Sequence, residues 1–258
     1  MVPTENGLLG GRVRLLQPAR GYRVAVDAVL LAAAVDARPG QHILDLGAGV
    51  GAVGLCLAAR VPDCSVVGIE LQPELAALAT RNATLNAAGD RLRTIVHDLA
   101  KPLPPDLGAF DHVVTNPPYL AAAVADLPPD RSKALATVES SADLARWLAV
   151  ATGALKPAGT LAIIHRSDRL EEIVSHLVRL RWGDVTVKRL PPAARVLVRA
   201  RFGPPARHES PPLRLHRPEG GYTDEAEAVL RHARPLAFWA DGRDSAGHVG
   251  MDKESSEP

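Results

Sequence analysis

The sequence predicts a doubly wound α/β sheet, mostly parallel, with a C-terminal antiparallel hairpin. Three observations carry that prediction. Apolar runs of strand length alternate with helix-spaced runs five times along the chain. The first of these runs, His42 to Leu46, leads through Gly47-Ala48-Gly49-Val50-Gly51 into the helix-like run Ala52 to Arg60, a strand, a glycine turn and a helix in succession. Near the end, runs around Val185 to Leu190 and Arg195 to Phe202 are joined by Pro191-Pro192-Ala193-Ala194, a link too short for a helical crossover, so these two strands pair as a hairpin.

At 258 residues the chain holds one α/β domain with a full core and some length to spare. Hydrophobic residues make up 47% and aromatics only 3%, so the core is built of Leu, Val, Ala and Ile and each aromatic is informative. A net charge of +1 excludes a globally basic nucleic-acid coat, but the charge is segregated. Ile164 to Arg217 carries twelve Lys/Arg against five Asp/Glu, and Pro218 to the end carries four against nine. That pattern fits a solvated face with an acidic tail as well as an RNA-facing patch. Cys56 and Cys64 lack C-x-x-C spacing and the nine histidines lack ligand spacing, so neither a disulfide framework nor a metal is expected. Met1 to Gly10 lacks the regions of a signal peptide, and the apolar stretch Val24 to Val35 is too short to span a bilayer and carries Asp27. A reduced cytoplasmic setting, with no membrane partner, is expected.

Taken in order, residues 1–22 read as an irregular arm punctuated by Gly7, Gly10, Gly11 and Pro18. A helix follows from Arg23 to the Arg38-Pro39-Gly40 stop, with Asp27 on its more apolar part, either a favourable acid near a helix N-terminus or a group facing a pocket. In the glycine turn, residues without Cβ let a ligand approach the backbone beside a helix N-terminus, which fits a nucleotide cofactor, dinucleotide or adenosyl. The second strand, Ser65 to Ile69, ends in Glu70, 21 residues after Gly49, where an acid can accept from two ribose hydroxyls. Pro73 starts the next helix, which runs to about Ala88. Leu92 to Val96 is the third strand, and Asp98 at its end is either an adenine-reading acid or a turn residue.

The fourth strand, Asp111 to Val114, is stopped by Pro117 and Pro118, which cannot donate to a ladder and which restrict the residues before them. Asn116 and Tyr119 are therefore held rigidly at a sheet edge. Leu120 to Val138, with Pro128, Pro129, Arg131 and Lys133, has the length of a binding loop or lid. A helix over Ala142 to Leu155, a fifth strand over Thr160 to Ile164 and a helix over Leu170 to Leu180 lead to the hairpin. The domain is assigned to residues 23–240, with a C-terminal extension from about 203 in which five prolines oppose regular structure before a short helix near Glu225. Residues 241–258 have the composition of a disordered tail.

With Asp45-Leu46-Gly47-Ala48-Gly49-Val50-Gly51 after strand one, Glu70 after strand two, Asp98 after strand three and Asn116-Pro117-Pro118-Tyr119 after strand four, the chain resembles the class I S-adenosylmethionine-dependent methyltransferases, whose sheet is Rossmann-like. The resemblance covers roughly residues 22–202, and Asn116-Pro117-Pro118-Tyr119 looks like the segment of enzymes that methylate a planar nitrogen: adenine N6, guanine N2 or a release-factor glutamine amide. Gln17 to Arg23 leading into Val26 to Leu31, and Leu215 to Thr223, are similar to bacterial tRNA (adenine-N6)-methyltransferases acting on a valine tRNA. The resemblance implies S-adenosyl-L-methionine as cofactor and tRNA as partner. Gly47, Gly49 and Gly51 would offer backbone N–H groups and space to its methionine part, and Asp45 would fix the turn or meet the amino group. Glu70 would bind the ribose, Asp98 the adenine, and Asp27 the same pocket. Asn116 and Pro117 would accept the amine's N–H groups and Tyr119 would stack on the base, with Pro118, Arg131 and Lys133 on the substrate side. A NAD-dependent oxidoreductase is the rival from another class, and it leaves Asn116 to Tyr119 unexplained.

Overall fold

The computed structural model describes residues 2–119, 134 and 141–238. A hairpin of β1 (Pro3–Leu8) and β2 (Val13–Pro18) comes first, followed by α1 (Val26–Ala33). Then β3 (His42–Leu46), α2 (Ala52–Arg60), β4 (Ser65–Glu70), α3 (Pro73–Leu85), β5 (Leu92–Val96) and β6 (Phe110–Thr115) alternate. After α4 (Leu144–Gly153) come β7 (Leu155–Arg166), α5 (Leu170–Arg179), β8 (Trp182–Arg189), β9 (Arg195–Phe202), β10 (Ala206–Ser210) and α6 (Asp224–His232).

Eight strands form one sheet in the order β10-β8-β9-β7-β6-β3-β4-β5. Strands β7, β6, β3, β4 and β5 are parallel, and β9 runs antiparallel to both its neighbours. The central strands carry little polar sequence because helices cover both faces: Ile43, Leu44, Leu46, Val113 and Val114 are all buried. Pro73 opens α3 where its missing N–H costs nothing, and the Asp143 carboxylate caps α4 by accepting from Arg146 N at 2.8 Å.

From β3 the chain winds one way through β4 and β5, then returns to the other side of β3 with β6. The crevice outside the carboxyl ends of β3 and β6 is therefore the switch point of the sheet, where ligands of such folds bind. Register puts the motif residues in one row there. Leu46 pairs with Ile69 on one side and Thr115 on the other, and Ile69 pairs with Ile95. Gly47, Glu70, Val96 and Asn116 thus stand one residue beyond a common line, and Thr115 Oγ1 donates to Leu46 O at 3.0 Å to hold the two central ends together.

Two expectations are corrected. Residues 1–22 are not an irregular arm, because 3–8 and 13–18 pair in register from Pro3/Pro18 to Leu8/Val13. Polar β1 gives no periodicity, and what anchors the hairpin is remote: Asn82 Oδ1 accepts from Leu16 N at 2.7 Å, its Nδ2 donates to Leu16 O and Val50 O at 2.8 and 2.9 Å, and Asn86 makes the matching pair of bonds with Arg14. Two side-chain amides, one in α3 and one at its C-terminal cap, imitate a neighbouring strand. The prolines after 203 also do not prevent regular structure, since Ala206–Ser210 adds a parallel edge strand to β8. That strand is charged, as exposed edges are, and its Arg207 pairs with Glu171 and Glu209. Beyond it Leu213, Leu215 and Phe238 are buried, and Leu236 N donates to Ala33 O at 2.9 Å, so the extension packs back on α1. The Leu120 to Val138 stretch apart from Ala134, including Arg131 and Lys133, and the tail 241–258 lie outside the described residues.

Candidate active site

A cavity of about 380 Å³ opens at the switch point, large enough for a nucleoside-sized ligand. Of the residues expected there, Asp27, Asp45, Gly47, Gly49, Glu70, Asp98, Asn116, Pro118 and Tyr119 line it. Gly51 and Pro117 do not. Gly51, with φ +83°, turns the chain into α2 and packs on Ala79.

The glycines supply room and not donors. Gly47 N donates to Ile69 O at 2.8 Å, Gly49 N to Glu70 Oε2 at 2.7 Å and Gly51 N to Ala48 O at 2.9 Å, so every glycine N–H of the turn is already taken. Room is scarce, however. A Cβ on Gly47 (φ +75°) would lie 2.6 Å from the Trp147 indole, and one on Gly49 would strike the Tyr22 hydroxyl. The 21-residue spacing between Gly49 and Glu70 is realised as a direct bond that clamps the tip of β4 to the turn after β3. Glu70 Oε1 also accepts from Gln72 N at 2.8 Å and the carboxylate takes a further backbone bond from Leu71, which leaves it one open lone pair for a ligand hydroxyl. Burial pushes the Glu70 carboxyl up, opposed by its bonds from Gln72 and Gly49.

Asp45 is 2% exposed, and its Oδ2 has no hydrogen-bond partner among the described residues. Burial first, and the Glu70 carboxylate second, push its pKa up to about 7. An orphaned buried carboxylate on the wall of a cavity fits a ligand ammonium. With Glu70 for a ribose hydroxyl and Asp98 for an exocyclic amine, this set of acceptors fits S-adenosylmethionine. Asp98 Oδ1 already accepts from Ser141 Oγ at 2.7 Å and Ala100 N at 2.9 Å, bonds that hold its carboxyl below the usual range.

At the other end Tyr119 Oη donates toward Asn116 Oδ1 at 2.8 Å and Asp27 Oδ2 at 3.0 Å. Burial, then the Asp27 charge, push the phenol up to about 12. Its ring meets His165 edge-on at 5.5 Å and lies 4.5 Å from the Arg195 guanidinium carbon. His165, at the end of β7, approaches Pro118 O with Nε2 at 3.4 Å, which supports the loop from beneath. Burial, then nearby Arg169, pull the His165 pKa down to about 4, so it is a neutral support.

Several lining residues carry no local signal in the sequence. Trp147 reads as the apolar face of a helix, Arg195 as the start of a hairpin strand and His97 as a turn neighbour, yet all three line the cavity. Tyr22 had a signal, being one of three tyrosines and part of the Gln17 to Arg23 segment; burial, then Glu70 and Asp45, push its phenol up. Much of the basic stretch is internally paired: Arg166 with Asp168, Arg169 with Glu172, Arg189 with Glu209 and Arg217 with Asp224. Among the described residues no cluster of three or more His, Cys, Asp or Glu has metal-site geometry, and no helix is long and apolar enough to cross a membrane.

A mostly parallel sheet with an antiparallel hairpin and a nucleoside-sized cavity between the glycine turn and Glu70 is the architecture of the class I S-adenosylmethionine-dependent methyltransferases. The model of the methyltransferase small domain family matches residues 23–179, and the chain belongs to that family. A tRNA1(Val) (adenine(37)-N6)-methyltransferase of Porphyromonas gingivalis is 35% identical over 164 residues, 61% of this chain and 64% of that protein. One of Actinobacillus succinogenes is 31% identical over 196 residues, 75% of this chain and 82% of that one. The match to the Porphyromonas relative thus spans slightly less than two thirds of its length. Among solved structures, a predicted O-methyltransferase from Agrobacterium tumefaciens superposes with a TM-score of 0.65 and 28% identity, covering 82% of this chain and 98% of that one. Geranyl diphosphate C-methyltransferase from Streptomyces coelicolor, 15% identical with a TM-score of 0.54, covers 68% and 75% and shares the fold.

Proposed function

We propose that the protein transfers a methyl group from S-adenosylmethionine to the N6 of an adenosine in tRNA. The observation that carries this reading is Asn116, whose side-chain oxygen stands at the cavity one residue beyond the end of β6, with a proline pair behind it and an aromatic ring beside it. The cofactor, when bound, supplies an electrophilic methyl on a sulfonium centre. Asn116 Oδ1 accepts one N–H of the adenine amine; the resemblance to planar-nitrogen methyltransferases gives the other to the Pro117 carbonyl, although Pro117 is not among the residues that line the cavity. The nitrogen lone pair, otherwise delocalised into the ring, would thereby be turned toward the methyl; as the N–C bond forms, the S–C bond would break, leaving the thioether S-adenosylhomocysteine, and the cationic nitrogen would lose one N–H proton to water, so positioning and electrostatic complementarity suffice without a strong base. The Tyr119 ring stacks on the extruded base, a contact worth about 1–3 kcal/mol that offsets part of the cost of unstacking it. Asp45 holds the cofactor's amino group, Glu70 its ribose and Asp98 its adenine.

The two curated relatives named above, each a tRNA1(Val) (adenine(37)-N6)-methyltransferase, support adenosine over a glutamine amide or guanine, and a tRNA substrate implies a cytoplasmic setting. Arg131 and Lys133 are proposed phosphate contacts. Mass spectrometry of tRNA nucleosides after incubation with S-adenosylmethionine tests the reading, with N6-methyladenosine as the expected product. Methylation of a release-factor glutamine with tRNA left untouched would refute it. Asn116→Ala is expected to reduce transfer by about 100-fold or more, the cost of removing a transition-state hydrogen-bond acceptor, while S-adenosylhomocysteine binding stays within twofold.

A further inference from the structure

We infer that Asp27 is a positioning residue which, by drawing the Tyr119 hydroxyl to itself, frees the Asn116 side-chain oxygen for the target amine. This rests on the reading of Asn116 as the amine's acceptor. Tyr119 Oη lies within hydrogen-bond reach of both oxygens, 2.8 Å from Asn116 Oδ1 and 3.0 Å from Asp27 Oδ2. A phenol has one hydrogen, so it serves one acceptor well at a time. While it serves Asn116 it takes one of the amide oxygen's two lone pairs and draws charge away from the other. An amine gaining positive charge in the transition state needs that oxygen undivided.

Charge tilts the competition toward Asp27, although the distance to Asn116 is the shorter of the two. A bond from a hydroxyl to a carboxylate is roughly twice as strong as one to a neutral amide. Arg195 Nε lies 3.1 Å from the same Asp27 oxygen, which fixes the carboxylate in place, and its guanidinium carbon lies 4.5 Å from the Tyr119 ring centroid. One cation thus holds both the ring and the acceptor that takes its hydroxyl. These groups come from α1, the segment after β6 and the start of β9, and Asp27 is 92 residues from Tyr119 and 168 from Arg195. Its partners Tyr119 and Arg195 place the Asp27 carboxylate on the acceptor side of the cavity.

The test is a double-mutant cycle on the full chain with Asp27→Ala, Tyr119→Phe and both together. It reads single-turnover methyl transfer to a tRNA transcript and the Kd of S-adenosylhomocysteine. Asp27→Ala is expected to slow transfer about tenfold, or 1.36 kcal/mol of barrier, with Kd within twofold. In the Tyr119→Phe background, where no hydroxyl competes for Asn116, the same change is expected to cost less than about twofold, a non-additivity that a merely structural Asp27 does not produce. Equal losses in the two backgrounds overturn the inference, as does a Kd weakened about tenfold with transfer intact. Should Asp27→Ala not fold, Asp27→Asn keeps the shape and removes the charge, and its loss of transfer must likewise vanish in the Tyr119→Phe background. A wild-type protein that binds S-adenosylhomocysteine but methylates no tRNA is a different failure: it overturns the adenosine reading, and this inference with it.

Discussion

Replacing Asp45 by Asn should make the ligand-free protein more stable and the cofactor complex weaker. Asp45 is 2% exposed with an unpartnered Oδ2, and its pKa moves from 3.8 to about 7. That is about three pKa units at 1.36 kcal/mol each, so the ionised carboxylate costs the empty protein roughly 4 kcal/mol. Because the folded pKa is raised, the cost is absent below the unfolded value of 3.8, grows as pH rises and is complete above about pH 7. An amide in its place leaves a buried neutral polar group short of partners, at about 1–3 kcal/mol. The net expectation for Asp45→Asn is a gain of about 1–3 kcal/mol at pH 8, shrinking toward pH 5. The ligand's ammonium would lose a charged partner worth about 1.5–3 kcal/mol, weakening S-adenosylhomocysteine roughly 10- to 100-fold. Urea denaturation at pH 5 and pH 8, with and without S-adenosylhomocysteine, measures both effects. A variant less stable than wild type at pH 8 without ligand, or one that binds the ligand as tightly, would show that Asp45 does not wait unpaired for an ammonium.

Gly47→Ala combines a left-handed φ of +75° with a Cβ 2.6 Å from Trp147, so the indole, which lines the cavity, must shift; calorimetry should show S-adenosylhomocysteine binding weakened more than tenfold while the far-ultraviolet circular dichroism is kept. Asn82→Ala strands the Leu16 N–H and C=O and the Val50 carbonyl without their side-chain partner, a loss of about 2–4 kcal/mol in urea melts. Hydrogen exchange at the Leu16 amide should quicken before the β3 amides do, since the hairpin is released first.

Where the cavity lies was largely legible. A glycine turn, an acid 21 residues on and a strand stopped by two prolines are local devices, and each forces the same geometry wherever it follows a buried parallel strand. Two elements were not legible because their pairing partners, and not their own pattern, make them strands: polar β1, with β2 held by Asn82 and Asn86, and charged β10 held along β8. The donor role expected of the turn also had no local check, since only the fold brings Ile69 O and Glu70 to take up its N–H groups.

What the sequence by itself determined is the order of strands and helices from β3 to β9 and the four positions at strand ends, because alternation of buried runs, the lack of a Cβ and the lack of a proline N–H act within a few residues. What only the tertiary structure decided is the company those positions keep. Tyr22 against the glycine turn, Trp147 against Gly47, and Arg195 against Asp27 and Tyr119 join segments far apart in the chain. Such contacts depend on which strands lie side by side and in what register, and no local rule of spacing contains that.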